Sequence, residues 1–516
     1  MEGVDFVTSY QGAAIMAMTV QLNFDELDGL IQDVKGIAQK AVNNGTALHI
    51  VEKDLLEKLL QAGHSAIGAM FQSVGHGDVG ETLSIPEHAK PLNRYPELSN
   101  RTYRSIFGDF ELSRYLYGEA PKTKALAIPL DEHFGLPSSR YSLLLESWVS
   151  RLSTSEPIHE AMDKLNNILG IRIGVDSAER IIARTGSNAE WFQDNLPAVE
   201  VAAEGELLVE STDNKGIVMR HKRTLEKLAV GAPTNRVGPK PDRKQMAALS
   251  GCYSVDRHIR TPQQVLNALF QVVTLENSSA PRPRPQQARY QACLSRSQDH
   301  PEDYLDGEVS AIGWLSEHVQ DRRRQGQELI NLNDGELSIW SNIEQSQGQN
   351  GRIDILDLIH SIQRVWDAAT LLKPKDVTAF AKDHISSILN GNVKRVIQSF
   401  RWQATHLGLK DKPLRDMQRI CTFLERNADK MKYNQYLALG YPIATGFIEG
   451  ACRHVLKDRM ERSGMRWSVQ GAQYMLYLRC VDAAGLWKDF KEVHQNKVLA
   501  IYGNRTNFKN SFQLAA

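Results

Sequence analysis

From about residue 200 the chain stops reading as helix and begins to read as strands. VEVAAEGELLVESTD carries apolar residues that give way to Asp213, Asn214-Lys215-Gly216 has turn composition, and IVMRHKR reads as a return strand. KQMAALSGCYSVD is a third strand, PQQVLNALFQVV a helix, SAIGWLSEHVQDRRRQG a second helix, and ELINLNDGE a strand ending at Asp334. GRIDILDLIH is a further strand or strand-to-helix segment. A long helical stretch follows to about 440, and Pro442 precedes a helix carrying Glu449. Strands that start antiparallel and continue through helical connections require a mixed sheet, so a mixed α/β fold is expected. The Pro-rich stretch 277–288 (NSSAPRPRPQQA) reads as a loop. No internal repeat is present.

The first 200 residues are organised differently. Residues 24–72 read as two amphipathic helices broken at Asn43-Asn44-Gly45, a packing hairpin that would also suit dimerisation. Gly75-His76-Gly77-Asp78-Val79-Gly80 matches GxGxxG in form. It follows a helical segment and precedes prolines, whereas a dinucleotide site needs a strand before and a helix after, so it is read as a loop. RTYRSIFGDFELSRYLYG (101–118) alternates around Gly108-Asp109 as a β-hairpin does. Its Arg101, Arg104 and Arg114 suit a phosphate-facing ribbon, and a half-buried sheet accounts for them equally. Residues 140–187 are helical. Within 157–187 a helix, a short turn and a second helix follow one another, with Asp176 and Ser177 as N-cap choices; this is either a helix-turn-helix or an ordinary helical pair.

Composition narrows the class. The 516 residues hold 61 Lys+Arg and 61 Asp+Glu, so no global basic charge draws the chain to nucleic acid. The ends differ: residues 1–100 hold 13 acids and 6 bases, and residues 351–516 hold 26 bases and 15 acids. A neutral chain can therefore present one basic face. Five cysteines without a Cys-x-x-Cys pair exclude a disulfide framework and argue against a thiolate zinc site. No apolar run is long enough to span a membrane, and MEGVDFVTSY is a poor export signal, so a cytoplasmic protein with no membrane partner is expected.

Three groups of residues carry possible chemistry. Asp213 and Asp334 end strands that a sheet can place side by side, and a packed helix can bring Glu449 against them. Such oxygen clusters suit hard divalent cations and in-line phosphoryl displacement. Turn carboxylates have the same composition, since Asp-Gly and Asp before Asn-Lys-Gly are common turns. Asp357 and His360 lie three apart and can bond on one helical face, or His360 is a satisfied core histidine. Arg453, His454, Lys457, Arg459, Arg462 and Arg466, with Trp467, have the helical spacing of a phosphate-tracking face or of a solvated basic one.

YPIATGFIEGACRHVLKDRMERSGMRWS resembles the C-terminal catalytic block of the ISKra-type insertion-sequence transposases. STDNKGIVMR, LNDGELSIW and ILDLIHSIQRVWDAA follow the same pattern in the same order, the last resembling the Cys/Asp-x-x-His signature of this and related Mutator-like transposases. The resemblance extends over roughly residues 95–490. It implies a DDE transposase with an RNase H-like catalytic core and a helical insertion before the last acid, using two Mg²⁺ or Mn²⁺ ions and no zinc. Asp213, Asp334 and Glu449 would be the catalytic, metal-binding triad, with Asp357 and His360 as the signature pair beside it. Asp354 and Asp357 are neighbours that compete with Asp334 for its role. Lys215, Arg453, Lys457, Arg459 and Arg466, and Arg101, Arg104 and Arg114 upstream, would contact DNA. The family's Asp-Gly-Lys-Gly is here Asp213-Asn214-Lys215-Gly216.

The segments implied are a helical 1–95, a DNA-binding 96–195 with the hairpin and helix-turn-helix-like helices, a first core part 196–345, a helical insertion 346–440, and a final core part 441–516. The expected partner is double-stranded DNA, both element ends and target, engaged by a homodimer or larger assembly. A nuclease that cuts without joining and a catalytically silent DNA-binding protein are the alternatives.

Overall fold

A computed structural model describes residues 24–85, 88–121, 123–220, 244–272, 281–296, 304–348, 351–462 and 465–502. The N-terminal decapeptide, His221-Lys222-Arg223 and part of the Pro-rich stretch lie outside the described residues. Two compact units are present. One comprises Met1–Ser150, Ile158–Ala178 and Lys491–Ala516, and the other Arg151–Pro157 and Glu179–Phe490. These limits do not follow the five segments read from the sequence; residues 96–195 divide between the units.

In the first unit the two expected helices are Asp25–Asn44 and Leu48–Val74. Gly45 closes the first in the left-handed conformation, its amide donating to the Ala41 carbonyl. The segment 75–80 is a loop: Asp78 accepts the Gly80 amide at 3.0 Å and pairs with Arg94. Five strands follow, β1 (Thr82–Leu83), β2 (Leu92–Arg94), β3 (Ser99–Ser105), β4 (Gly108–Arg114) and β5 (Tyr117–Gly118). Strands β1, β2 and β5 form a small sheet, so residues 1–95 are not wholly helical. The hairpin is β3–β4, but Ser105 pairs with Gly108, which places its turn at Ile106-Phe107 rather than Gly108-Asp109. Ser105 Oγ accepts the Phe107 amide at 2.9 Å, and the Phe107 ring fills the space left by Gly63, where a Cβ would come within 2.4 Å of it. The helices of the suspected helix-turn-helix are Ile158–Leu169 and Val175–Asp194. The second begins at Val175, so Asp176 sits in its first turn and does not cap it.

The second unit is built on a five-stranded mixed sheet of β6 (Leu207–Val218), β7 (Lys244–Val255), β8 (Gln286–Leu294), β9 (Glu328–Asn333) and β10 (Arg352–Leu356), in the order β10-β9-β6-β7-β8. Pairs β6–β7 and β7–β8 are antiparallel, and β6–β9 and β9–β10 are parallel. Asn214-Lys215-Gly216 is not a turn. Strand β6 runs on through it, paired with β7 from Leu207↔Val255 to Val218↔Lys244, and β7 is the return strand. Pairing with β9 stops at Glu210, so the polar residues that follow have a neighbour on one side only and need not be buried on both. Strand β8 was hidden by Pro281, Pro283 and Pro285 just before it, although Tyr290–Leu294 is a continuous buried run. Its outer edge is closed by a side chain: Gln473 accepts the Leu294 amide and donates to the Ala292 carbonyl, both at 2.8 Å.

Side chains alternate across β6. Leu207 and Val209 pack with Ile330, Leu332 and Ile355 and with the helices between Leu358 and Leu437. Leu208 packs on the other face with Leu315 and Val319 of the helix Gly307–Arg322. The helical run after the sheet therefore starts at Leu358 rather than at 346, because Arg352–Leu356 is a strand of the sheet. No helix among the described residues is long and apolar enough to cross a membrane.

Candidate functional site

The alternation that buries Leu207 and Val209 carries on to Ser211 and Asp213, so Asp213 emerges on the face covered by the helices between Leu358 and Leu437. The same count along β9, through Ile330 and Leu332, brings Asp334 to that face one residue past the strand. The two strands are held in step beyond their ladder: Ser211 Oγ donates to the Leu332 carbonyl at 2.6 Å, and Asn333 Oδ1 accepts the Thr212 amide at 2.8 Å. Asp334 turns the chain. Its carboxylate accepts the Glu336 amide at 2.9 Å, and Gly335 sits at φ 93°. A Cβ on Gly335 would meet Leu356 Cδ1 at 2.8 Å and the Phe423 ring at 2.9 Å, so only glycine fits this turn.

Glu449 arrives on a helix that begins at Gly446, passes through a π-helical turn over Cys452–Lys457 and ends at Met460. Such turns are rare and recur at functional sites. Asp213, Asp334 and Glu449 line one cleft of about 500 Å³ with Lys215, His360, Arg453 and Lys457. The three acids that the sequence singled out thus meet in one place, together with its signature histidine.

Asp357 sets the geometry of that cleft from beneath. It is fully buried and caps the helix Leu358–Leu372. Its Oδ2 accepts both the amide and the Nδ1 of His360, each at 2.8 Å, and its Oδ1 accepts the Thr445 amide at 2.8 Å. A carboxylate only accepts, so this contact fixes the imidazole proton on Nδ1 and leaves Nε2 for the cleft. Thr445 passes the link on, its hydroxyl donating to Glu449 Oε1 at 2.7 Å. The Asp357 hydrogen bond holds the His360 imidazole above its ordinary pKa against the opposing effect of burial, and the Asp357, Asp334 and Glu449 charges add to it.

Ligand-type atoms of Asp357, His360 and Glu449 lie within 4.8 Å of one another. Asp357 has both oxygens committed and no exposure, so it orients His360 and is poorly placed to hold a cation itself. Asp354 is spent too, accepting Asn331 Nδ2 at 2.8 Å and Arg352 Nε at 2.7 Å. Asp334 lines the cleft, and among the described residues only its Oδ1 accepts a hydrogen bond, from the Glu336 amide. The donors offered by Asp213, Asp334 and Glu449 are all carboxylate oxygens, the set that hard divalent cations prefer. Cys452 supplies no thiolate beside them, because burial, then the Asp213 charge and a hydrogen bond to it, push its pKa far up. Lys215 Nζ stands 3.4 Å from Asp213. Burial works against its charge, but Asp213 and Asp334 outweigh it and raise its pKa.

The basic residues divide sharply. Arg453 and Lys457 are exposed at the cleft, and Arg466 is exposed on the segment after the helix. Arg459 is buried at 1% exposure, and this corrects its reading as a DNA contact. Its Nε donates to the Ser153 carbonyl at 2.8 Å, its Nη1 contacts Met465 Sδ at 2.9 Å, and it stacks over Trp467. Burial, then Arg479 and Arg462, lower its pKa to about 10. The hairpin arginines are also engaged within their own unit. Arg101 and Arg114 both pair with the buried Asp131, and Arg104 pairs with Asp109 and the Arg172 carbonyl. They are structural, and the half-buried sheet is the correct reading of 101–118.

Sequence reasoning missed Thr445, whose amide and hydroxyl join Asp357 to Glu449. Its place at the N-cap of the Glu449 helix was the available signal. It also missed Glu308 and Glu336, which share the Asn214 amide just outside the cleft. The sequence matches no family model and no curated protein.

Proposed function

We propose that this chain is a DNA transposase of the DDE type, with an RNase H-like core interrupted by a helical insertion. One observation carries the reading. Two carboxylates leave adjacent parallel strands β6 and β9, a third comes from a helix beyond an all-helical insertion, and all three line one cleft beside exposed Arg453 and Lys457. This is the arrangement the resemblance to ISKra-type transposases calls for.

In this reading Asp213, Asp334 and Glu449 would hold the two Mg²⁺ or Mn²⁺ ions. Such ions, when bound, activate the attacking oxygen and stabilise the leaving one in an in-line displacement. The chain's own residues do the rest. Arg453 and Lys457 hold phosphates at the cleft mouth, where exposed bases are free to track a backbone. Lys215 keeps Asp213 neutralised before the ions arrive. His360, held by Asp357 and enriched in its charged form, presents Nε2 to the negatively charged centre. Thr445 fixes the rotamer of Glu449 and so the spacing of the third ligand from the other two. Water or a DNA 3′-hydroxyl is the nucleophile, and no side chain forms a covalent intermediate.

The test is Mg²⁺- or Mn²⁺-dependent cleavage and joining of labelled DNA bearing the element's own ends. Asp213→Asn, Asp334→Asn and Glu449→Gln should each abolish both steps while DNA binding persists. Cleavage without joining would make the chain a nuclease of the same core. DNA binding with no cleavage, in wild type as well, would make it a silent binding protein.

A further inference from the structure

A second cavity of about 500 Å³ adjoins the acid cleft, sharing Ile359 with it. Its character is opposite. His258, Arg260 and Arg282 converge there beside Gln264, over an apolar floor that includes Val265 and Ile443, and no lining residue is an acid.

The arginine at its centre is anchored in place. The amides of His258 and Arg260 donate to the carbonyls of Gly440 and Leu437 at 2.9 and 3.1 Å, stitching this loop to the segment that leads into the Glu449 helix. Among the described residues the guanidinium is held by backbone carbonyls: Nε donates to His258 at 3.3 Å and Nη2 to Tyr441 at 3.2 Å. Neither contact neutralises it. No ion pair of His258, Arg260 or Arg282 is found among the described residues. Burial first, then Arg282, lowers the Arg260 pKa, and burial, Arg260 and Arg282 together lower that of His258. Positive groups gathered without a counter-charge are unfavourable unless an anion joins them, and a planar guanidinium fork matches a phosphate.

We propose that this groove seats a backbone phosphate of the DNA strand whose reacting bond lies in the acid cleft, with Arg260 and Arg282 as its ligands. The idea rests on the transposase reading and extends it. The apolar floor accepts the sugar or base of the same nucleotide, and the shared Ile359 puts that nucleotide next to the carboxylates. The groove thereby gives the strand its direction across the site, which the exposed bases of the Glu449 helix do not fix alone.

The test is equilibrium binding of duplex DNA of arbitrary sequence by the full chain in EDTA, repeated across a salt series so that cleavage plays no part. Arg282 is exposed, so Arg282→Gln should fold normally; Arg260→Lys keeps charge but loses the fork, and Lys53→Gln in the other unit serves as control. A lost phosphate contact lowers the slope of log affinity against log salt by about one, so Arg282→Gln/Arg260→Gln, which empties the single phosphate seat, should show that drop, and Arg282→Gln alone should fall between it and wild type. Arg260→Lys should weaken binding at an unchanged slope, and Lys53→Gln should match wild type. Wild-type binding with the same slope and affinity in every arginine variant would overturn the groove proposal and leave the transposase reading standing. Slopes that fall as expected while Glu449→Gln still cleaves with metal would keep the groove and sink the acid triad. Absence of DNA binding by wild type would remove both.

Discussion

Asp357 Oδ1 accepts the backbone amide of Thr445 at 2.8 Å across a sequence separation of 88 residues. Through this bond the start of the helix Leu358–Leu372 is tied to the helix that carries Glu449, so Asp357 and the last acid of the cleft are set by one contact. Asp357→Asn replaces an acceptor with a donor at one end of it. Loss of a supporting partner of this kind typically costs 10–100-fold in activity, so cleavage should fall by roughly that range with DNA affinity nearly unchanged. Asp357→Ala should also destabilise the chain by about 1–3 kcal/mol, since it strips a buried amide and a helix cap of their acceptor. Cleavage rates beside urea melts check both. Wild-type cleavage in Asp357→Asn would show that the buried acid does not govern the site.

Lys215 Nζ lies 3.4 Å from Asp213, with its side chain 35% exposed. So exposed a pair contributes little by itself, about 0–1 kcal/mol. Lys215→Met should therefore lower the melting temperature only slightly in EDTA. The variant should then gain more from added Mg²⁺ or Mn²⁺ than wild type, because the carboxylates it leaves unneutralised bind the ion more tightly and binding stabilises by mass action. Melting curves with and without the ion read this directly. An equal or smaller gain in the variant would mean that cation and ammonium do not share Asp213.

How much of this was legible in the chain follows from which physics each feature obeys. Asp334 was legible beside a strand end because the apolar run before it marks a strand locally, but Asp213 lies inside β6 and not at the end of a strand as the sequence suggested. The path of β6 was not legible, since Asn214-Lys215-Gly216 has turn composition and only the absence of β9 beside it lets it stay extended. The prolines before Gln286 masked β8 because they describe the approach to the strand and not the strand. The hairpin arginines were ambiguous because their partner, Asp131, lies on another element that no local pattern names. The basic groove was invisible for the same reason, its charges coming from separate segments. For Arg459 the signal was present: two residues of helix rotate a side chain by about 200° from Lys457, to the opposite face.

A different face of the sheet sets the response to pH. Glu210 is fully buried beside β9, with Oε2 accepting Gln347 Nε2 at 2.8 Å and Oε1 unpartnered. Burial pushes its pKa from 4.5 to about 7, against the opposing pull of Gln347 and Arg352. The folded chain thus prefers the protonated carboxyl. Its contribution to stability is complete below pH 4.5, fades as pH rises, and is gone above about 7. The span corresponds to on the order of 3 kcal/mol. Glu210→Gln, neutral throughout, should be about as stable as wild type in mild acid and more stable in mild base. Denaturation of both chains across that range checks it, and parallel curves would exclude Glu210 as the source.

Arg453 and Arg459 lie six residues apart on one helix with the same charge, one exposed at the cleft and the other buried at 1% exposure. Arg453 is exposed at the cleft, so Arg453→Ala should leave stability within about 0.5 kcal/mol, weaken DNA binding and lower its salt slope by about one. Arg459→Ala should do the reverse. It removes a buried side chain that satisfies the Ser153 carbonyl and packs on Trp467, a loss of about 3 kcal/mol, while any folded fraction binds DNA with the wild-type slope. Arg459→Lys should recover little, because an ammonium cannot reproduce a planar group stacked on an indole. Denaturation and salt-dependent binding of the three variants separate the roles. A stable Arg459→Ala chain with a reduced salt slope would return Arg459 to the DNA-binding face and show that the helix is rotated when DNA is bound.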